Sequence, residues 1–134
     1  MAFQDFYRMS SHAVIQNSEQ QILLLKASYA DAAWGLPGGA LDMGETIHEA
    51  LYRECLEELG CDIEVQYLSG VYFHEVVTSH AFIFKCKLKS ESAIQLSSEH
   101  SEFAWFNVED LSKTQKIRVM DCLNFNGQVI SRRF

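Results

Sequence analysis

Apolar positions in this chain change their period along its length, and each change marks an element. The first ten or so residues mix apolar and polar types with no period. From Ser11 onward, the runs HAVIQ and QILLLKA flank the polar NSEQ, which predicts two strands joined by a turn at Asn17-Ser18. The segment YADAAWGLPGGALDMGE then gathers Gly35, Pro37, Gly38, Gly39 and Gly44. Pro37 is the only proline, so a rigid loop that allows close backbone approach is expected there.

The clearest helix begins after Thr46. Thr46-Ile-His-Glu49 has the form of a capping box, in which hydroxyl and carboxylate each satisfy an orphan amide. Gly60 stands where a left-handed residue would close the helix. At about 100° per residue, Leu51, Tyr52, Cys55, Leu56 and Leu59 share one arc, which predicts a face packed on a sheet.

After Gly60 the pattern turns to β. Residues 62–77 and 79–88 read as strands, the second with partial alternation at Phe82, Phe84 and Cys86. Ser90 to Ser101 reads as a polar loop. EFAWFNVEDL reads as a short strand running into a helix N-cap at Asn107, and IRVMDCLNF as a C-terminal helix. Hairpins and helical crossovers together predict an α/β (α+β) sandwich with a mixed sheet between helices. Residues 1–134 are read as one domain, since no linker, low-complexity run or repeat interrupts them.

Composition narrows the partners. The formal net charge is −7 at pH 7, which argues against general attraction to nucleic acid polymers or anionic membranes. A small anionic substrate would be repelled too, unless a divalent cation lies between it and the protein. No apolar run approaches the ~18 residues of a membrane span, and no signal layout opens the chain, so a cytoplasmic location is the expectation. Cys55, Cys61, Cys86 and Cys122 show no zinc-like spacing and sit among apolar positions, so reduced core thiols are expected.

The candidate chemistry lies on the first helix. Arg53, Glu54, Glu57 and Glu58 fall at about 0°, 100°, 40° and 140°, so three carboxylates share an arc beside an arginine. Alone, such a run reads as a solvated charged face. Yet crowded carboxylates repel one another, and a hard cation reverses that penalty by taking oxygen ligands and bridging to phosphates.

The wider pattern decides the reading. From Gly39 to Cys61 the chain runs GALDMGETIHEALYRECLEELGC, which resembles the Nudix box G-x5-E-x7-R-E-U-x-E-E-x-G-U, where U is aliphatic. Gly39, Glu45, Arg53, Glu54, Glu57, Glu58 and Gly60 fill the fixed positions. Both U positions are cysteine, Cys55 and Cys61, which weakens packing without removing chemistry. WGLPGG before the box and EFAWFNVEDL after it carry the resemblance further.

That resemblance implies a Mg²⁺-dependent hydrolase of a phosphoanhydride bond, with Mn²⁺ accepted as a substitute. It implies that Glu54, Glu57 and Glu58 bind the metal together with the Gly38 carbonyl. Glu57 is the candidate general base, and Glu45 and Arg53 form an orienting ion pair. Many relatives recruit a further acid from a distant loop; Glu99 is the first candidate and Glu102 the second. His100 between them reads as an exposed loop histidine, with contact to phosphate or base as the alternative. Trp34, Tyr72, Phe73 and Phe82 are available as a base platform, although aromatics at strand spacing are more often core. Arg8 and Lys26 are candidate phosphate contacts without a supporting pattern.

The extra marks of ADP-ribose, diadenosine polyphosphate, NADH and coenzyme A hydrolases are absent. The chain therefore looks most like the small nucleoside triphosphate pyrophosphohydrolases, including those acting on oxidised purine nucleotides. The rival expectations are an NDP-sugar or dinucleotide pyrophosphatase and a nucleotide-sensing domain that does not cleave. A small nucleotide is the expected partner, and a homodimer is allowed for.

Overall fold

Alternating side-chain direction along two central strands builds this molecule around two apolar layers. The computed structural model describes residues 2–29, 33–90 and 94–134. Parts of the two loops expected from sequence, 30–32 and 91–93, lie outside them. In β1 (Arg8–Ile15), Ala13 and Ile15 enter one layer and Val14 the other. In β2 (Ile22–Ala27), Leu23 and Leu25 oppose Ile22 and Leu24 in the same way. Both faces are buried over Ala13–Ile15 and Ile22–Leu25, so those stretches read as unbroken apolar runs.

The elements continue with β3 (Trp34–Gly35), β4 (Gly38–Ala40), α1 (Ile47–Leu59), β5 (Ile63–His74), β6 (Ser79–Leu88), β7 (His100–Phe106), α2 (Lys113–Leu123) and β8 (Ile130–Arg133). The expected mixed sheet is present with five strands in the order β4-β1-β6-β5-β8. β1 runs parallel to β6 and antiparallel to β4, while β5 is antiparallel to β6 and parallel to β8. A second, antiparallel sheet of order β3-β2-β7 accompanies it. The turn at Asn17-Ser18 therefore joins strands of different sheets, which touch through a bridge from Gln16 to Ile22.

Helix α1 has the limits its sequence predicts. The Thr46 hydroxyl accepts from the Glu49 amide at 3.1 Å and the Glu49 carboxylate accepts from the Thr46 amide at 2.9 Å. Gly60 closes the helix at φ 67°, in the left-handed region. Leu51, Cys55 and Leu59 are fully buried against the sheet, each large aliphatic contributing about 1.5–3 kcal/mol. Tyr52 and Leu56, predicted on the same face, are instead 45% and 51% exposed. The buried arc is rotated toward Ala50 and Glu58.

Three further differences have local causes. The rigid loop around Pro37 contains the short strands β3 and β4, because extended Gly38–Ala40 pairs with Ser10–His12 of β1. Asn107 precedes a single 3-10 turn and makes no side-chain cap; α2 starts later, where the Ser112 hydroxyl accepts from the Gln115 amide. β1 begins at Arg8 and β8 follows α2, both in segments whose sequence shows no period. No helix of the described residues is long and apolar enough to cross a membrane.

Candidate metal and active site

Arg53 organises the acidic face of α1. Its Nε donates to Glu45 Oε2 at 2.6 Å, and Nη2 donates to Glu45 Oε1 at 2.9 Å and to the Ala40 carbonyl at 3.1 Å. Nη1 donates to Glu54 Oε1 at 2.9 Å and to Glu57 Oε2 at 3.3 Å. Every guanidinium N–H is thereby engaged, and Asp42 adds an ion pair at 3.3 Å that the sequence reading missed. The charge of Arg53 and the Asp42 amide hold the Glu45 carboxyl down at about 2, while its carboxylates push Arg53 upward.

Glu58 faces inward at 4% exposure. Its Oε1 accepts from the Gly38 amide at 2.7 Å, and its Oε2 lies 3.4 Å from His100 Nε2. Burial pushes its carboxyl up to about 8, with Glu54, Glu99 and Glu57 adding repulsion against the lowering effect of Gly38. Burial likewise raises Glu54, with Arg53 opposing. His100 is a correction to the sequence reading: it begins β7, its side chain is 12% exposed, and burial lowers its pKa. It faces Glu58 as a neutral ring.

These groups border a cleft of about 320 Å³, lined by Glu54, Glu58, Glu99, His100, Gly38 and Gly39, with Tyr29, Trp34 and Leu36 among the apolar side. Gly39 is required by close approach. A Cβ there would stand 2.7 Å from Glu54 Cδ, so any side chain would displace that carboxylate.

The candidate residues separate clearly. Glu99 joins Glu54 and Glu58 on the cleft, whereas Glu102 pairs with Lys26 at 3.7 Å on the β2–β7 sheet. Glu57 stands at the margin, 59% exposed and turned to Arg53. Trp34 lines the cleft and packs edge-on to Phe106. Tyr72 is fully buried, Phe82 packs on the core, and Phe73 meets Tyr7 and His80. Arg8 lies beside Phe6 and Val76 in a separate depression.

Among the described residues, no three His, Cys, Asp or Glu side chains converge as a ready-made cation site. The donor set nevertheless fits a hard dication. Oxygen donors predominate, three carboxylates face one cleft, and their mutual repulsion and burial raise Glu54 and Glu58.

Comparisons with known proteins bear on the family and the fold. The model of the NUDIX domain matches residues 6–121. A MutT-like protein of Streptomyces ambofaciens is 30% identical over 125 residues, 90% of this chain and 80% of that protein. A putative 8-oxo-dGTP diphosphatase of Bacillus subtilis is 31% identical over 99 residues, 74% of this chain and 66% of that protein. An ADP-ribose pyrophosphatase from Streptococcus suis shares the fold at a TM-score of 0.80 and 22% identity, covering 95% of this chain and 100% of that one.

Proposed function

The chain belongs to the Nudix hydrolase family, and from that premise we propose that it is a Mg²⁺-dependent pyrophosphohydrolase of nucleoside triphosphates, oxidised purine nucleotides included, yielding monophosphate and diphosphate. The observation that carries this reading is the meeting of Glu54, Glu58 and Glu99 on one cleft beside Gly38 and Gly39. Simple nucleotide binding has no need of three carboxylates there, since they repel phosphate until a cation is present.

In this reading Glu54, Glu57 and Glu58 would hold Mg²⁺ together with the Gly38 carbonyl. Bound there, such an ion would supply Lewis acidity toward water and the phosphate oxygens. The chain's own part is positioning. Arg53 holds Glu54 and Glu57 in one plane of hydrogen bonds, and Glu45 fixes Arg53 from the other side. The Gly38 amide fixes Glu58. Glu57, open to solvent, takes the proton of the attacking water, and Glu99 closes the acidic wall opposite α1. Water then displaces diphosphate at phosphorus, where alignment and charge neutralisation do most of the work.

The relative named an 8-oxo-dGTP diphosphatase supports the triphosphate class, and the four free, buried thiols support a cytoplasmic setting. The test is a panel of common and 8-oxo dNTPs, ADP-ribose, GDP-mannose and diadenosine tetraphosphate, incubated with and without Mg²⁺. Diphosphate and monophosphate from the triphosphates support the proposal; turnover confined to sugar or dinucleotide substrates overturns it.

A further inference from the structure

Away from the acidic cleft, an apolar surface stands open where β1 begins and β5 turns back into β6. Phe6 and Val76 are 91% and 97% exposed, and Tyr7 and Val77 about half exposed. Together with Arg8 and Thr78 they line one depression of about 490 Å³. Phe3, also exposed, precedes them on a single 3-10 turn. Folded chains place most Val and Phe inside, and a contiguous exposed patch of them marks an interaction surface.

The patch rests on fixed backbone. The Tyr7 ring packs against Phe73 at 6.0 Å and His80 at 5.2 Å. The Arg8 amide donates to the Thr78 carbonyl at 2.9 Å, which ties its two segments together. Val76 and Val77 ride a 3-10 turn over Glu75–Val77, and the Glu75 amide donates to the Phe134 carbonyl at 3.0 Å. That turn closes at Thr78 with φ 48°, a left-handed conformation that β-branched residues adopt only under constraint. Side chains held in this way have less freedom to lose on docking.

We propose that this face joins two copies of the chain in a symmetric dimer. Area is the first argument. The four apolar side chains lining the depression present on the order of 500 Å². Phe3 and the stem of Arg8 bring the face toward the roughly 800 Å² that each partner buries in a standard interface. Charge is the second argument. The chain carries a net charge of −7, so two copies repel one another except through a face where the signs balance. Here Asp5, Glu75 and Arg8 are all exposed, and none of them enters an ion pair among the described residues. A two-fold axis sets the acids of one copy against the arginine of the other, as a self-complementary contact requires. The same symmetry seats Phe6 of each copy in the depression of the other, an aromatic anchor in a desolvated pocket.

The experiment is sedimentation velocity on the full chain over about 1 to 100 µM, a range that brackets a micromolar interface. It compares wild type with Phe6→Glu and Val76→Glu, and with Val129→Glu as an exposed control outside the patch. Wild type and Val129→Glu are expected to form dimers with a Kd in the micromolar range or tighter. In each patch variant the Kd rises on the order of a hundredfold, so both sediment as monomers. Melting gives a second reading: the wild-type midpoint climbs with protein concentration by mass action, and that of Phe6→Glu does not. Because the replaced side chains point to solvent in the single chain, the diluted variants melt as the diluted wild type does. A wild type monomeric across the whole range overturns the proposal, and so does either patch variant that stays dimeric. Wild type that floats with phosphatidylcholine vesicles and forms no dimer in solution assigns the face to a lipid surface, which overturns it equally.

Discussion

Glu58 on α1 and Gly38 on β4 are joined by a 2.7 Å hydrogen bond from amide to carboxylate, which fixes the acidic helix to the edge of the sheet. Burial makes this carboxylate hard to ionise, so its pKa rises from 4.5 to about 8. A raised acid binds a proton in the folded state and not in the unfolded one across that window. In metal-free protein its contribution is therefore present below pH 4.5 and lost as pH rises toward 8. Glu58→Gln keeps the acceptor for Gly38 and removes this loss. His12 acts in the opposite sense: with its pKa lowered from 6.5 to about 3, stability is lost as pH falls through that range. Thermal melting in EDTA from pH 3 to pH 9 should show both slopes, with the alkaline one flattened in Glu58→Gln.

Gly39→Ala separates fold from site. The added Cβ meets the end of the Glu54 side chain at 2.7 Å, which can swing away without disturbing the sheet. We expect a change in melting of no more than about 1 kcal/mol but a tenfold or larger loss of Mg²⁺-dependent turnover, of the order seen when an orienting partner is removed. A variant as active as wild type would show that Glu54 does not need its present position.

Arg53→Lys keeps the positive charge and loses the fork that grips Glu45, Glu54 and Glu57 together. Turnover should fall about 10- to 100-fold. Glu45→Gln, which loosens the same arginine from behind, should fall in the same direction. Adding both changes should cost less than the product of the two, because they disrupt one network.

Glu99→Gln and Glu102→Gln test the acidic wall. Glu99 borders the cleft with Glu54 and Glu58, so its neutralisation should raise the Mg²⁺ concentration needed for half-maximal rate. Glu102 pairs with Lys26, and its loss should change stability by about 0–1 kcal/mol with the Mg²⁺ requirement unmoved.

Sequence pattern reached the helix and the acidic cluster because both rest on local rules. The capping box at Thr46, the left-handed Gly60 and the spacing of Arg53, Glu54, Glu57 and Glu58 lie within one helix and its ends. Period alone placed Tyr52 and Leu56 in the core, since it cannot tell how the helix is rotated on the sheet; β4 turns Glu58 inward instead. The role of His100 depends on a segment distant in the chain meeting α1, and no local signal marks that.

The central claim is metal-dependent hydrolysis at the Glu54–Glu57–Glu58 face, and diphosphate release from dGTP across a Mg²⁺ titration in wild type and Glu57→Gln tests it most directly. No release is expected in EDTA, with saturable release on adding Mg²⁺ and a loss on the order of a hundredfold or more in the variant. Release that persists in EDTA or is unchanged in Glu57→Gln would contradict it, as would tight Mg²⁺-dependent binding of dGTP with no cleavage by the wild type.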